Sequence, residues 1–329
     1  MRRHSVRAID ELPVLHRASV ATIGVFDGLH LGHASILARL SASAHSRSLP
    51  AVCVTFSVHP REVLAGEAPR RILSLEHRLE LLAARGVDDA VVIEFSREFA
   101  AVEPEAFVEQ LLVRRLGVRE LVIGHDTAIG RGRRGDSDFL AQAGRHYGFH
   151  VVAVGGVVVD GEVVSSTAVR AAIAAGDLPR AARLLGRPVS LLGTVVRGDG
   201  RGGSLGFPTA NLEVRSEAFP PLGVYAVTAR CESADGAAGA LGAAKALGDL
   251  PAVMNYGLRP TFHQDETHAV FEIHVLDRTD LQLYGQRMEV FLHEFLRREK
   301  RFANVEELKA QISADCERAR AVRRVVPAR

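Results

Sequence analysis

Apolar and polar positions in the first half of the chain follow two alternating rhythms. Compact apolar runs occupy Val20–Phe26, Ala51–Phe56, Ala90–Phe95, Glu120–Gly124 and His150–Val154. Between them, apolar residues recur at helical spacing, as in Leu75, Leu79 and Leu82 and again in Phe107, Leu111 and Leu112. Strands alternating with helices of this length predict βαβ units around a parallel sheet. Runs that are apolar nearly throughout predict a sheet covered on both faces.

The pattern changes near residue 186. Ala174–Gly186 reads as a short helical linker broken at Gly176 and Pro179, and Gly186-Arg187-Pro188 then punctuates the chain. From Leu191 onward the β-type runs LLGTVV, GVYAVTARC, PAVMNYG, AVFEIHVLD and MEVFLHEFL are separated by Gly, Pro and Asp. That pattern predicts a small antiparallel barrel or sandwich. The Ala- and Gly-rich stretch Ser233–Asp249 reads as an elongated hairpin loop without chemistry of its own. A final helix is expected from about Val305 to Arg320, with Val305, Leu308, Ile312, Cys316 and Ala319 in one stripe. Asn304 would cap it, and Glu306 and Glu307 suit its first turn. The expected organisation is an α/β domain over residues 1–186 and a β domain with a terminal helix over 187–329.

Composition narrows the function classes. The 329 residues are 47% hydrophobic and 24% charged, as two globular domains require. A balance of 41 basic against 39 acidic residues argues against a dedicated polyanion binder, so no nucleic-acid partner is expected. No stretch approaches ~18 uninterrupted apolar residues, so no membrane span is expected. The N-terminal MRRHSVRAIDELPVL lacks the apolar segment of a secretory signal. Cys53, Cys231 and Cys316 are widely spaced and form no CxxC, which suits a reducing compartment. A cytoplasmic location follows as the expectation.

Three strings in the first half carry candidate chemistry. Gly24-Val25-Phe26-Asp27-Gly28-Leu29-His30-Leu31-Gly32-His33 follows an apolar run and opens a helix. Its glycines allow backbone to approach a phosphate, and a helix N-terminus supplies unpaired N–H groups. His30 and His33, three apart, share a helix face and can stabilise charge that develops as pyrophosphate leaves. Ser165-Ser166-Thr167-Ala168-Val169-Arg170 places hydroxyls at a helix start with an Arg one turn on, a pattern suited to an anion. Gly130-Arg131-Gly132-Arg133-Arg134-Gly135-Asp136 lies beyond the carboxyl end of a strand, where ligands of open α/β sheets bind.

The second half has its own constellation. Gly198–Gly206 holds five glycines in nine residues, a lid able to wrap phosphates, and leads into Phe207-Pro208-Thr209-Ala210-Asn211. Thr209 and Asn211 are hard oxygen donors that an extended strand would turn to the same side, which suits Mg²⁺ shared with a nucleotide. In Phe271-Glu272-Ile273-His274-Val275, Glu272 and His274 share a face opposite the apolar residues. A carboxylate there can accept the proton of an alcohol attacking phosphorus.

In this order the strings resemble bacterial bifunctional riboflavin kinase/FAD synthetases. The N-terminal HxGH and SSTxxR motifs, with Phe56-Ser57-Val58-His59-Pro60, match the nucleotidyltransferase half, whose fold is Rossmann-like. GxLGFPTAN, Gly223–Tyr225, NxGxRPTF, ExHxxD, Leu283–Gly285 and Arg297–Phe302 match the riboflavin kinase module. The resemblance implies formation of FMN from riboflavin and ATP by the C-terminal half, then of FAD and pyrophosphate from FMN and ATP by the N-terminal half. It implies that His30 and His33 contact ATP phosphates, with Gly24, Phe26, Asp27, Gly28, Gly32, Ser165, Ser166, Thr167 and Arg170 around the nucleotide. Asp126, Arg133, Asp136 and Arg297 would lie toward the flavin. Gly198, Gly206 and Pro208 would meet the second nucleotide, Thr209 and Asn211 its Mg²⁺, and Glu272 would be the base.

Some positions depart from the family. Thr127 and Ile129 stand where aromatic residues are common, Val58 where Pro is common, and Val25 where Asn is frequent. Gly203 and Arg278 also depart, both expected away from metal and base. The departures at Thr127 and Ile129 leave open a riboflavin kinase whose adenylyltransferase half is impaired. The persistence of Thr209, Asn211, Glu272, His30 and His33 argues against a flavin-binding module without turnover.

Overall fold

The structure, a computed structural model, describes residues 1–198, 205–231, 248–260, 267–278 and 282–322. The chain divides into two compact units, Met1–Arg71 with Leu75–Ser166, and Ile72–Ser74 with Thr167–Arg329.

The first unit is built on six parallel strands: β1 (Arg2–Val6), β2 (Ser19–Ile23), β3 (Ala51–Phe56), β4 (Asp89–Ile93), β5 (Val118–Gly124) and β6 (His150–Val154). Their order is β1-β4-β3-β2-β5-β6. Helices α1 (Leu31–Arg47), α2 (Pro60–Ala65), α3 (Leu75–Ala83), α4 (Arg97–Ala100), α5 (Pro104–Ala106) and α6 (Ser137–Tyr147) fill the connections, and α5 runs into a π-helical segment, Phe107–Arg115. β2 and β4 are buried at every position, as a doubly covered sheet demands. Each expected strand forms. The run expected over Val20–Phe26 stops as a strand at Ile23, because Gly24–Phe26 leaves the sheet to enter a turn. β1 was not expected: its exposed Arg2 and Arg3 hide the strand period, and it is a charged edge.

Two buried acids anchor this sheet. Asp89, at the start of β4, takes a bidentate pair of bonds from Arg2 at 2.8 Å and one each from His4 (3.0 Å) and His16 (2.9 Å). Burial alone would raise its pKa, but these partners together hold it below the usual carboxylate value. Glu120 on β5 is likewise buried, and Ser43, Arg47 and Arg39 of α1 hold its pKa down against the same penalty.

The strand order contains one reversal. From β2 the chain winds outward through β3 and β4, then returns to lay β5 against the other side of β2. The carboxyl ends of β2 and β5 therefore flank a topological switch point, the place where open α/β sheets bind ligands. A small antiparallel hairpin, β7 (Val158–Val159) with β8 (Glu162–Val163), follows β6.

The second unit is a closed antiparallel barrel. After α7 (Ser166–Ala175) and α8 (Leu178–Leu185) come β9 (Val189–Val196), β10 (Ala210–Val214), β11 (Gly223–Cys231), β12 (Asp249–Pro260), β13 (Thr267–Val275) and β14 (Arg287–Arg297), closed in the order β10-β13-β12-β11-β14-β9. Tyr225, Met254 and Ile273 pair across β11, β12 and β13 and are buried inside, and Tyr256 stacks on Phe271 with centroids 4.6 Å apart. On the outer face, Val224, Ala226, Val253 and Leu296 form a second cluster with Cys316 and Ala319 of α9 (Val305–Ala321).

The expected helical linker is not a linker. α8 packs on β9 and β14 and buries Leu178, Ala181, Leu184 and Leu185. Pro179 opens this helix rather than breaking it, because a first-turn residue has no helical partner for the N–H that Pro lacks. The last helix forms where expected, and Asn304 caps it by accepting from the Glu307 N–H at 2.8 Å. Its stripe is shorter than expected: Cys316 and Ala319 are buried, whereas Val305 is 48% exposed. Most of the hairpin loop read over Ser233–Asp249 lies outside the described residues.

Candidate functional sites

At the switch point, the chain leaving β2 makes a tight turn. Leu29 N–H donates to the Phe26 carbonyl at 3.3 Å, and Phe26, Gly28 and Leu29 all have positive φ (53°, 82° and 44°). Such backbone is costly for Phe and Leu and persists only where the surroundings over-determine it. Both side chains are buried in the fold, Phe26 at 2% exposure and Leu29 at 0%.

The turn delivers two imidazoles to the start of α1. His30 is the N-cap, its Nδ1 accepting from the His33 N–H at 3.3 Å. An accepting Nδ1 fixes the neutral tautomer and makes Nε2 a donor. The rings stack with centroids 3.7 Å apart, and Phe26 meets His33 edge-on at 5.2 Å. A Cβ on Gly32 would lie 3.1 Å from His30 Cε1, so any larger residue there would crowd the ring. Burial pushes the His33 pKa well below its ordinary value, and the neighbouring His30, Arg78 and Arg85 add to this. The buried Nδ1 of His33 has no hydrogen-bond partner among the described residues, as suits an atom placed for a ligand.

The start of the second motif, which belongs to the same unit, joins the first. Ser166, opening α7, donates its hydroxyl to the Asp27 carbonyl at 2.8 Å. Ser165 is half-buried beside it; Thr167 and Arg170 lie further along the same helix. Gly24, Asp27 and Gly28 belong to the turn itself.

The basic loop is more committed than its sequence suggests. Arg131 and Arg134 both reach Glu103, Arg131 at 3.3 Å and Arg134 at 2.5 Å. Arg133 donates to the Asp126 carbonyl at 2.9 Å, and Asp136 caps α6 by accepting from Phe139 N–H at 2.9 Å. Ile129 is buried in the core and bridges Gly135 through paired backbone bonds. The Ile129 side chain therefore docks the loop onto the core.

In the barrel, Asn211, Glu272 and Asn255 are in register on β10, β13 and β12. They form one cross-strand row, with neighbouring side chains about 5 Å apart at Cβ. Phe271, Ile273 and Val275 are buried on the opposite face, as the alternation predicted. Asn255 donates to the Glu272 carboxylate at 3.3 Å. A Cβ on Gly198 would overlap the Asn211 amide at 1.9 Å, so the segment entering the Gly-rich stretch lies directly against that amide. Gly206 has φ 88°; the residues between Gly198 and Leu205 lie outside the described ones.

Thr209 borders a recess of about 130 Å³ with Pro208, Arg278, Leu283 and Tyr284. His274 Nδ1 donates to the Pro208 carbonyl at 2.8 Å, fixing the strand that carries Thr209. Arg278, expected away from the metal residues, instead lines the same recess as Thr209, where Asp277 turns the chain through a positive φ of 59°. Arg297 is held by the buried Asp315 of α9 at 2.8 Å and lies 5.7 Å from the Phe302 ring.

Sequence reasoning missed two residues. Asn255 stood in a recognised string without a role, since cross-strand register is invisible along the chain. Arg78 sits at an apolar position of the Leu75, Leu79 and Leu82 stripe and is buried. A cation on a core-facing stripe was the available signal.

Comparison with known proteins gives two family matches: FAD synthetase over residues 13–168 and riboflavin kinase over residues 185–323. The chain is 40% identical to a bifunctional riboflavin kinase/FMN adenylyltransferase from Escherichia coli strain K12, with 90% of each chain covered. It is 40% identical to the protein of that description from Pseudomonas fluorescens, over 96% of this chain and 97% of the relative. Its fold is similar to a crystal structure described as a macrolide-efflux protein from Streptococcus pneumoniae, at TM-score 0.80 and 27% identity, covering 97% of this chain and 99% of that one.

Proposed function

The chain belongs to the bifunctional riboflavin kinase/FMN adenylyltransferase family, and on that premise we propose that it phosphorylates riboflavin at the barrel and adenylylates FMN at the switch point. ATP is the co-substrate of both reactions. The observation that carries the reading is the row Asn211–Glu272–Asn255, which puts a carboxylate beside a hard oxygen donor on adjacent strands.

At the barrel, Glu272 takes the proton from the riboflavin alcohol as it attacks the γ-phosphorus, and Asn255 orients that carboxylate. Asn211 and Thr209 fit a divalent cation, here Mg²⁺, in one respect the structure supplies: neutral oxygen donors with glycine backbone packed against the amide. Among the described residues no group of three or more His, Cys, Asp or Glu forms a metal site, so the remaining ligands would come from phosphate oxygens. The cation's chemistry is to neutralise charge on the transferring phosphoryl group. The recess at Pro208, Leu283 and Tyr284 suits a planar ring.

At the switch point the nucleophile is the FMN phosphate, already ionised, so no general base is required. His30 and His33 donate to the triphosphate and stabilise charge as pyrophosphate departs. The turn's N–H groups and the start of α1 add the helix's positive end. We place residues 1–186 with adenylyl transfer and 187–329 with phosphorylation, and set the protein in the cytoplasm, which its three buried free thiols favour.

The test uses the full chain. Riboflavin with Mg-ATP should give FMN and ADP, and FMN with Mg-ATP should give FAD and pyrophosphate. Glu272→Gln should lower FMN formation by about 10²–10⁴-fold and leave FAD formation from supplied FMN intact. Unchanged FMN formation would remove Glu272 as the base. Absence of FAD at saturating enzyme would favour the kinase-only reading.

A further inference from the structure

The face of α3 that carries Leu79 and Leu82 into the core carries Arg78 with them, 6% exposed. Its guanidinium ends against the β2 turn. One terminal nitrogen donates to the Val25 carbonyl at 2.6 Å and the other to the Phe56 carbonyl. Thr55 on β3 adds its hydroxyl to the same Val25 oxygen at 3.3 Å. Asp27, in the turn, favours the charged guanidinium, which burial disfavours.

This is an unusual use of a buried cation. Such a charge normally lies in a close ion pair. Here its two terminal nitrogens bind backbone carbonyls at the ends of two neighbouring strands. Val25 begins the left-handed turn through Phe26 and Leu29, and Phe56 closes β3. The planar fork spans both points at once, which a single ammonium cannot do.

We propose that Arg78 is a positioning residue for adenylyl transfer: by tying Val25 to Phe56 it holds the strained turn in the shape that aims His30 and His33 at the ATP phosphates. The inference rests on the reading that places adenylyl transfer at this turn. Both terminal nitrogens of the fork are engaged by backbone carbonyls, so its effect passes through the backbone, and a displacement of about 1 Å at such a site lowers rate about a hundredfold.

The experiment compares Arg78→Met, Arg78→Lys and His33→Ala in the full chain, with FAD and FMN formation measured on the same preparations. Riboflavin phosphorylation reports the integrity of the barrel, and the melting transition of the parallel-sheet unit reports folding around the turn. Arg78→Met should raise the KM for ATP in FAD formation about tenfold and lower kcat/KM about a hundredfold, with FMN formation within twofold of the parent. Arg78→Lys keeps the charge and one bond, and should recover about tenfold of that loss while retaining the raised KM. Arg78→Lys with parental melting and parental KM would overturn the proposal. So would a loss in Arg78→Met that lies wholly in the amount of active enzyme, with KM unchanged. Should His33→Ala make FAD at the parental rate, the placement of the reaction at this turn fails and the proposal fails with it. If His33→Ala loses activity while Arg78→Met keeps it, only the proposal fails.

Discussion

At the scale of single residues, both sites depend on side chains fitted against bare backbone. Gly32 leaves room for the His30 ring, and Gly198 leaves room for the Asn211 amide. An added methyl at residue 32 would meet His30 Cε1 at 3.1 Å and must displace the ring or the first turn of α1. Gly32→Ala is therefore expected to slow FAD formation by roughly tenfold or more while leaving FMN formation unchanged, read in single-turnover assays of each half. Gly198→Ala should do the reverse, since its Cβ would overlap Asn211 rather than a histidine. The residue types at these positions were legible in the sequence because phosphate chemistry selects few of them. Arg78 was not, because a charge at an apolar position of the Leu75, Leu79 and Leu82 stripe signals burial but not which carbonyls it binds.

At the scale of elements, α8 decides where the kinase half ends. Its apolar face, Leu178, Ala181, Leu184 and Leu185, packs on β9 and β14. A fragment beginning at Arg187 would bare that contact. A fragment beginning at Asp177, which caps α8 by accepting from Arg180 N–H at 3.0 Å, keeps it. The longer fragment should melt higher, and Leu184→Ala within it should cost about 2–4 kcal/mol in urea unfolding. The periods of two and 3.6 made most strands and the longer apolar helices readable, since burial imposes them directly, whereas α2, α4, α5, α6 and the β7–β8 hairpin carried too short or too weak a period to be read. β1 escaped because Arg2 and Arg3 break the apolar run; its place comes from Asp89 on a distant strand. The helical linker was misread because proline was scored as a breaker where the first turn of a helix accepts it. The cross-strand row at Glu272 could not be read at all, because register depends on turns between strands rather than on the strands themselves.

For the molecule as a whole, the buried acids of the N-terminal sheet set its response to acid. The partners of Asp89 and Glu120 hold both pKa values below the ordinary range. Depressed carboxylate values mean that their stabilisation is complete above pH ~4 and is lost as pH falls through the folded values. Circular dichroism across an acid titration should show this unit unfolding below pH ~4, and Asp89→Asn should lower its stability at neutral pH by about 2 kcal/mol, less than the ~3–5 kcal/mol of a fully buried pair because Arg2 is solvent-exposed. Loss of that contact has a further consequence. Among the described residues the barrel is closed, whereas the parallel sheet has edges at β1 and β6, and the arginines of β1 discourage docking by another strand there. Once Asp89 is protonated and β1 peels away, β4, with its Ala90–Ile93 run, becomes the outermost strand. Acid would then convert a guarded border into a template for self-assembly, and light scattering should rise alongside the loss of helix signal.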